Sequence, residues 1–274
     1  MARPLRALLE DSEGAICLTT SLYVQRDQPE GVPPLSLTGE RTLPNVPEEN
    51  YWFRRHLAVY EWIAAGLEGA SVIDMACGEG YGSEVLASRA ARVVGVDANP
   101  EAHEHARLRY VRGNLSFVRA LVDSYPEPAQ AVVFLQTIEH LEDPGATLEH
   151  FRGLVGGSGT VYLSTPNLLT LAPKGAARSD NPWHVHEYRL QEFGGLCAEH
   201  FGRVELYGLF HARKLRVHQL ALKLGWDRIH GALRLTRPFY DRFTPAISAR
   251  DFVLRQAGEA DLDGALDFLA VCRP

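Results

Sequence analysis

From residue 71 onward, short runs rich in Val, Leu and Ile alternate with segments of helical spacing, and this alternation constrains the fold more than any other feature. The strand-like runs are SVID (71–74), RVVGVD (92–97), LSFVR (115–119), AVVFLQ (131–136), TVYLS (160–164) and RVELYGL (203–209). Between them, helices are predicted from Tyr81 to Ser88, Pro100 to Leu108, Pro144 to Leu154 and Leu190 to His200. Apolar strands joined by helices require right-handed crossovers and a sheet covered on both faces. The predicted fold is therefore α/β: a Rossmann-like doubly wound sheet, mostly parallel, with a terminal antiparallel strand at ALDFLAVC (265–272). Ahead of it, Trp52, Phe53, Leu57, Val59, Tyr60 and Ile63 recur at helical spacing between Glu49 and Leu67. Residues 1–48, with six prolines, read as an extended or partly mobile N-terminal arm. One domain then spans 49–274, with a C-terminal helical insert at about 211–250.

With 274 residues, 46% of them hydrophobic, the chain can bury a sizeable core. Its net charge of −6, without a dense basic run, gives no reason to expect a nucleic-acid partner. No run of about 18 apolar residues and no leader-like start is visible, so no membrane partner and a cytoplasmic location are expected. Cys17, Cys77, Cys197 and Cys272 are scattered and read as reduced thiols. Oligomeric state is not readable, a homodimer being one option.

The stretch ACGEGYG (76–82) follows the first strand, where open parallel sheets bind ligands. It lacks the Lys and Ser or Thr of a P-loop, and its glycines at 78, 80 and 82 do not match the dinucleotide spacing. Asp74, at the end of the strand, would repel a pyrophosphate and suits a cationic ligand. Asp97 ends the second strand, where a carboxylate can accept both hydrogen bonds of a ribose diol. Together these features favour an adenosine-bearing ligand with a positive end and no phosphate, such as S-adenosylmethionine. The duller alternatives are a tight turn and a helix-capping aspartate.

With VIDMACGEGYGS, VVGVDANP, AVVFLQTIEHLEDP and GSGTVYLSTPN in place, residues 38–210 resemble the class I S-adenosylmethionine-dependent methyltransferases. The resemblance implies that Asp74, Ala76, Gly78 and Gly80 line the methionine end of the cofactor, Asp97 the ribose and Gln136 the region beside the sulfonium. It also assigns Tyr81 and Ala98 to the cofactor site. Where the family often carries an acidic residue near the adenine, this chain has VRALVDSYP, so either Asp123 is displaced or backbone groups at Leu121 and Val122 do the work.

In QTIEH, Gln136, Glu139 and His140 stand at i, i+3 and i+4 and share a face if the loop takes a helical turn. A histidine beside a carboxylate suits a general base toward a hydroxyl, and Glu139 with His140 also suits a divalent metal such as Mg2+. The loop resembles that of the ubiquinone-biosynthesis O-methyltransferases, whose E-x-x-E-H pattern is linked to metal dependence, but residue 136 is Gln here. For the acceptor, the candidates are Tyr51 and Trp52, backed by Arg54 and Arg55, together with His184, His186 and Glu187 in NPWHVHEY and His211 after the sixth strand. The other histidines (His56, His103, His105, His150, His200, His218 and His230) read as surface residues.

Taken with STPN, GLFHARKLR and DLDGALDFLAVCRP, the chain is similar to actinobacterial sugar O-methyltransferases of methylmannose polysaccharide biosynthesis. That resemblance implies methylation of a mannoside hydroxyl, the anomeric one, hence a small-molecule or oligosaccharide acceptor. The alternatives are O-methylation of a phenolic or quinone-like natural product, a non-catalytic cofactor-binding protein, and a nicotinamide-dependent oxidoreductase.

Overall fold

The computed structural model describes residues 22–274 except 24, 26, 37–40, 174, 175, 177, 227, 228, 230 and 232–235. Cys17, His230 and the start of the N-terminal arm thus lie outside the described residues. Eight strands form the main sheet: β1 (Ser71–Met75), β2 (Arg92–Asp97), β3 (Leu115–Arg119), β4 (Ala131–Leu135), β5 (Thr160–Pro166), β6 (Arg203–His211), β7 (Phe252–Gln256) and β8 (Asp267–Arg273). Their order is β3-β2-β1-β4-β5-β8-β6-β7. The first five pair in parallel, as the crossovers require. β8 runs antiparallel to both β5 and β6, and β6 pairs antiparallel with β7.

Helices α1 (Asn50–Ala64), α2 (Tyr81–Ala87), α3 (Pro100–Arg109), α4 (Pro144–Val155), α5 (Leu190–His200), α6 (Arg213–Lys223) and α7 (Thr236–Phe243) complete the described framework, with a single turn at Leu168–Leu171. Alternate strand residues face opposite ways, so the sheet carries two cores. Phe134, Phe151, Phe193 and Phe268 belong to the core beneath α4 and α5. Tyr60, Ile63, Val93 and Leu269 belong to the core beneath α1 and α2. On that face α2 sits close against α1, because a Cβ at Gly82 would lie within 2.2–2.6 Å of the Tyr60 ring.

The structure bears out the antiparallel strand expected at the end of the chain and adds to or corrects other expectations. β8 is terminal in the sequence but interior in the sheet, where it continues the pairing between β5 and β6. β7 had no expected counterpart; its apolar run is only Phe252, Val253 and Leu254, followed by Arg255 and Gln256. His105 and His218, expected at the surface, are 0% and 8% exposed. His105 lies under the N-terminal segment, its Nδ1 at 2.6 Å from the Pro33 carbonyl, and His218 packs on Phe239, Tyr240 and Phe243.

The described part of the arm is packed against the domain. Leu22–Tyr23 and Leu35–Ser36 form a short antiparallel ladder, and Leu35, Leu43 and Val46 close a small apolar cluster.

Candidate active site

The carboxyl ends of β1, β2, β4 and β5 carry the loops in question, and the glycine loop is shaped by backbone conformation. Ala76, Gly78 and Gly80 all have positive φ (54°, 56° and 98°). Gly78 needs this freedom, and a Cβ there would meet no atom within 4 Å, so the loop leaves open space over it. Gly80 starts α2, where a Cβ would lie 2.8 Å from that of Ala106.

Each carboxylate of this half is tied to the loop. Asp74 is fully enclosed and accepts hydrogen bonds from Tyr60 (3.1 Å) and Ser83 (2.6 Å). Burial pushes its carboxyl up to about 7, and the two hydroxyls hold it down against that rise. Asp97 accepts from the amides of Gly78 and Asn99, both at 2.8 Å. Glu79, which sequence reasoning passed over, is buried and takes hydrogen bonds from Gln25 Nε2 (2.8 Å), the Tyr110 hydroxyl (2.8 and 2.9 Å) and the Tyr81 amide (3.0 Å). Its place between two loop glycines was the only available signal, because its side-chain partners Gln25 and Tyr110 come from residues far away in the chain. Thr42 and the Tyr81 hydroxyl lie 3.1 Å apart. Through Gln25 and Thr42 the N-terminal segment is fastened to the glycine loop.

Ala98 is exposed beside Asp97, and Leu121 and Val122 form part of a turn after β3, Leu121 being exposed and Val122 packed against the core. Gln136 directly follows β4 with φ at 54°, its side chain on Ser164 Oγ (3.0 Å). That left-handed residue breaks the helical register expected across QTIEH, and only Ile138–His140 makes a 3-10 turn. Glu139 and His140 are consequently held by different partners. Glu139 is buried and accepts from Thr165 Oγ1 (3.0 Å). Burial pushes its carboxyl up to about 8; the Thr165 hydroxyl lowers it, while Asp267 and Glu187 add to the rise.

His140 is half-buried, its Nδ1 2.9 Å from the carbonyl oxygen of Trp183. A carbonyl only accepts, so Nδ1 carries the proton and Nε2 keeps a lone pair. The loop that supplies Trp183 is pinned beneath the turn, with the amides of Val185 and His186 donating to the Glu139 carbonyl (2.9 and 3.1 Å). This brings His184 to 5.1 Å from His140, ring to ring. His184 Nδ1 lies 2.8 Å from Glu187 Oε1, and its Nε2 lies 2.9 Å from Asn181 Nδ2. Burial lowers the His184 basicity, with the Glu187 carboxylate opposing. Burial would raise the Glu187 carboxyl, but Ser179 and His184 outweigh it and hold it below the usual range. His186 is exposed and rests on Tyr188, away from His140 and His184. One atom each from Glu139, His140 and His184 lie within 4.8 Å of one another.

A second group gathers around α1. The Tyr51 hydroxyl is 2.8 Å from His211 Nε2. Arg55 makes a two-pronged contact with Asp267 (2.6 and 2.5 Å) under the Trp52 ring. Burial, reinforced by the Arg55 charge, lowers the His211 basicity to about 4, so its imidazole is neutral at pH 7. In the sequence Arg55 reads only as backing for Tyr51 and Trp52, and Asp267 had no signal of its own. Its role depends on β8 reaching the middle of the sheet.

The family model described as "Methyltransferase domain" matches residues 49–220. A Mycobacterium tuberculosis protein named "Probable S-adenosylmethionine-dependent methyltransferase" is 34% identical over 248 residues, covering 86% of this chain and 89% of that one. The chain is a class I S-adenosylmethionine-dependent methyltransferase. A similarly named protein of Mycolicibacterium smegmatis is 36% identical over 246 residues, covering 86% of this methyltransferase and 94% of that protein. A ubiquinone biosynthesis O-methyltransferase of Xylella fastidiosa is 32% identical over 107 residues, 37% of this chain and 44% of that one.

Among solved structures, a methyltransferase of Thermotoga maritima described as a possible histamine N-methyltransferase shares the methyltransferase's fold with a TM-score of 0.55 at 12% identity, covering 82% of this chain and 94% of that one. The DhpI–SAH complex shares it at 0.50 and 16%, covering 82% and 86%. S-adenosylmethionine is accordingly the methyltransferase's cofactor.

Proposed function

We propose that this methyltransferase acts on a hydroxyl of a sugar or short oligosaccharide, a mannoside in particular, with the Glu139, His140 and His184 cluster at its reacting centre. The observation that carries this reading is the convergence of those three side chains within 4.8 Å, beside the end of β4. S-adenosylmethionine supplies the methyl group. Gly78 leaves room for it, Asp97 orients the loop around it, and Gln136 stands at the strand end nearest the acceptor loops.

His140, with its Nδ1 proton held by the Trp183 carbonyl, offers Nε2 to take the proton from the attacking hydroxyl. The donor set also fits a divalent cation. Glu139 supplies a buried carboxylate without an ion-pair partner among the described residues, His140 its free Nε2, and His184 its Nε2 once the Asn181 amide gives way. A bound cation would acidify a coordinated hydroxyl. One carboxylate with two imidazoles suits Mn2+ or Zn2+ better than Mg2+, which prefers oxygen donors. The rim formed by Tyr51, Trp52, Arg55 and His211 is polar and aromatic, which suits a polyhydroxylated acceptor better than an apolar ring system.

A second reading, a phenolic or quinone-like acceptor, is favoured by the partial likeness to the ubiquinone biosynthesis O-methyltransferase. Transfer of label from S-adenosylmethionine to mannosides and to phenols, each with EDTA and with restored Mn2+ or Mg2+, separates the two. Labelling of mannosides supports the proposal, and labelling of phenols alone overturns it. Activity that survives EDTA leaves His140 as a plain base.

A further inference from the structure

Outside the active site, the strongest unexplained feature is the outer face of α6. Leu215 and His218 turn inward, and Lys214 is tied to the Ala246 carbonyl and Asp251. On the opposite side Val217, Leu220 and Leu224 are 68%, 58% and 78% exposed. At 3.6 residues per turn these three fall on one stripe. Arg213 lies within that stripe, and Arg216 and Lys223 run along its edge, all exposed. The neighbouring α7 adds exposed Arg237 and Arg242 beside one exposed acid, Asp241. Among the described residues, none of these five cations has an ion-pair partner. Residues 213–242 hold eight Lys or Arg against two Asp, a net of +6, within a chain of net charge −6.

A stripe of aliphatic side chains bordered by unpaired cations is the pattern of a helix that lies in the headgroup layer of a bilayer. A nucleic-acid surface would use the cations but leave the aliphatic stripe wet. A second copy of this acidic chain would meet the cations, yet copies related by a two-fold axis at this face would bring like charges together. The expectation of no membrane partner rested on the absence of a long apolar run. Among the described residues no helix is long and apolar enough to cross a membrane, and a peripheral contact needs none.

We propose that the α6–α7 face docks the enzyme on anionic lipid surfaces, inserting Val217, Leu220 and Leu224 among the headgroups while Arg213, Arg216, Lys223, Arg237 and Arg242 contact phosphates. α6 begins two residues after His211, so docking sets the acceptor rim next to the lipid.

The test is co-sedimentation of the full chain with phosphatidylcholine vesicles and with vesicles containing phosphatidylglycerol, at low and high salt. Binding is expected only to the anionic vesicles and should weaken with salt. Arg216→Gln with Lys223→Gln should reduce the partition about 25-fold, taking about fivefold per cation. Val217→Ser, Leu220→Ser and Leu224→Ser together should reduce it further and leave the melting temperature unchanged, because these side chains are exposed. Equal binding to neutral vesicles, no binding to either, or parent-like binding by the charge variant would overturn the proposal. So would a dimer of the parent chain that the triple serine variant converts to monomer, since the face would then belong to a second copy.

Discussion

The cofactor half and the acceptor half of the site are built by different means. Around the glycine loop, Asp74 and Asp97 spend their oxygens on hydroxyls and amides of the protein itself, and Glu79 adds Arg109 and His105 to such partners, so the loop is shaped before any ligand arrives. On the acceptor side Glu139 has one hydroxyl partner, His140 keeps a free nitrogen, and His184 is held by groups that can move aside. The first half is a finished mould. The second is a set of donors with fewer fixed partners, in which burial raises the Glu139 carboxyl and lowers the basicity of His184.

Substitutions on the two sides should therefore fail differently. His140→Ala has the largest expected effect, lowering turnover about 10²- to 10⁴-fold while S-adenosylmethionine affinity by calorimetry stays at the parent value. Parent-like turnover would erase the distinction between the halves. Next comes Glu139→Gln in metal-free buffer. The folded carboxyl titrates near 8 against an ordinary 4.5, so folding takes up a proton between those values and parent stability declines as pH rises from about 4.5 to about 8. The variant should lose that slope and exceed the parent by a few kcal/mol, in order of magnitude, in urea melts at pH 9. An unchanged slope would show that Glu139 is not the strained group.

In the cofactor half, Asp97→Ala should raise the S-adenosylmethionine dissociation constant about tenfold to a hundredfold, taking 1.5–3 kcal/mol for a charged hydrogen-bond set. Because Asp97 also fixes the Gly78 amide, Asp97→Asn should recover part of the loss, a rescue that calorimetry can resolve. The smallest effect is that of Ala76→Gly. Relief of a left-handed alanine, about 1–2 kcal/mol, is partly offset by the greater freedom of glycine in the unfolded chain. The net gain of up to about 1 kcal/mol should raise Tm by no more than about 4 °C, with cofactor affinity unchanged.

The same contrast explains what was legible in the sequence. Strand periodicity, the spacing of Gly78, Gly80 and Gly82, and the aspartates ending β1 and β2 are local, so the sheet and the loop could be placed before any contact was known. β2, β3 and α5 fall on the residues expected. The proposed acceptor rim draws on Tyr51, His140, His184, His211 and Asp267, which come from separate elements of the chain. His184 was named as one of two adjacent candidates, and backbone hydrogen bonds to the Glu139 carbonyl decide that it, not His186, meets His140. Glu79 and His105 were missed because two of their partners, Gln25 and Pro33, lie in a segment whose prolines suggested an extended or partly mobile arm.

The interior position of β8 carries a consequence for how the chain comes to be folded. During synthesis, β1 to β5 can assemble as they emerge, since each pairs with strands already made. β6 and β7 cannot join them, because the strand that bridges β5 to β6 is translated after both. Until then the β5 edge is open and Arg55 has no Asp267 to meet, so a nascent chain stalled short of residue 267 holds a formed cofactor loop beside an unfinished acceptor rim.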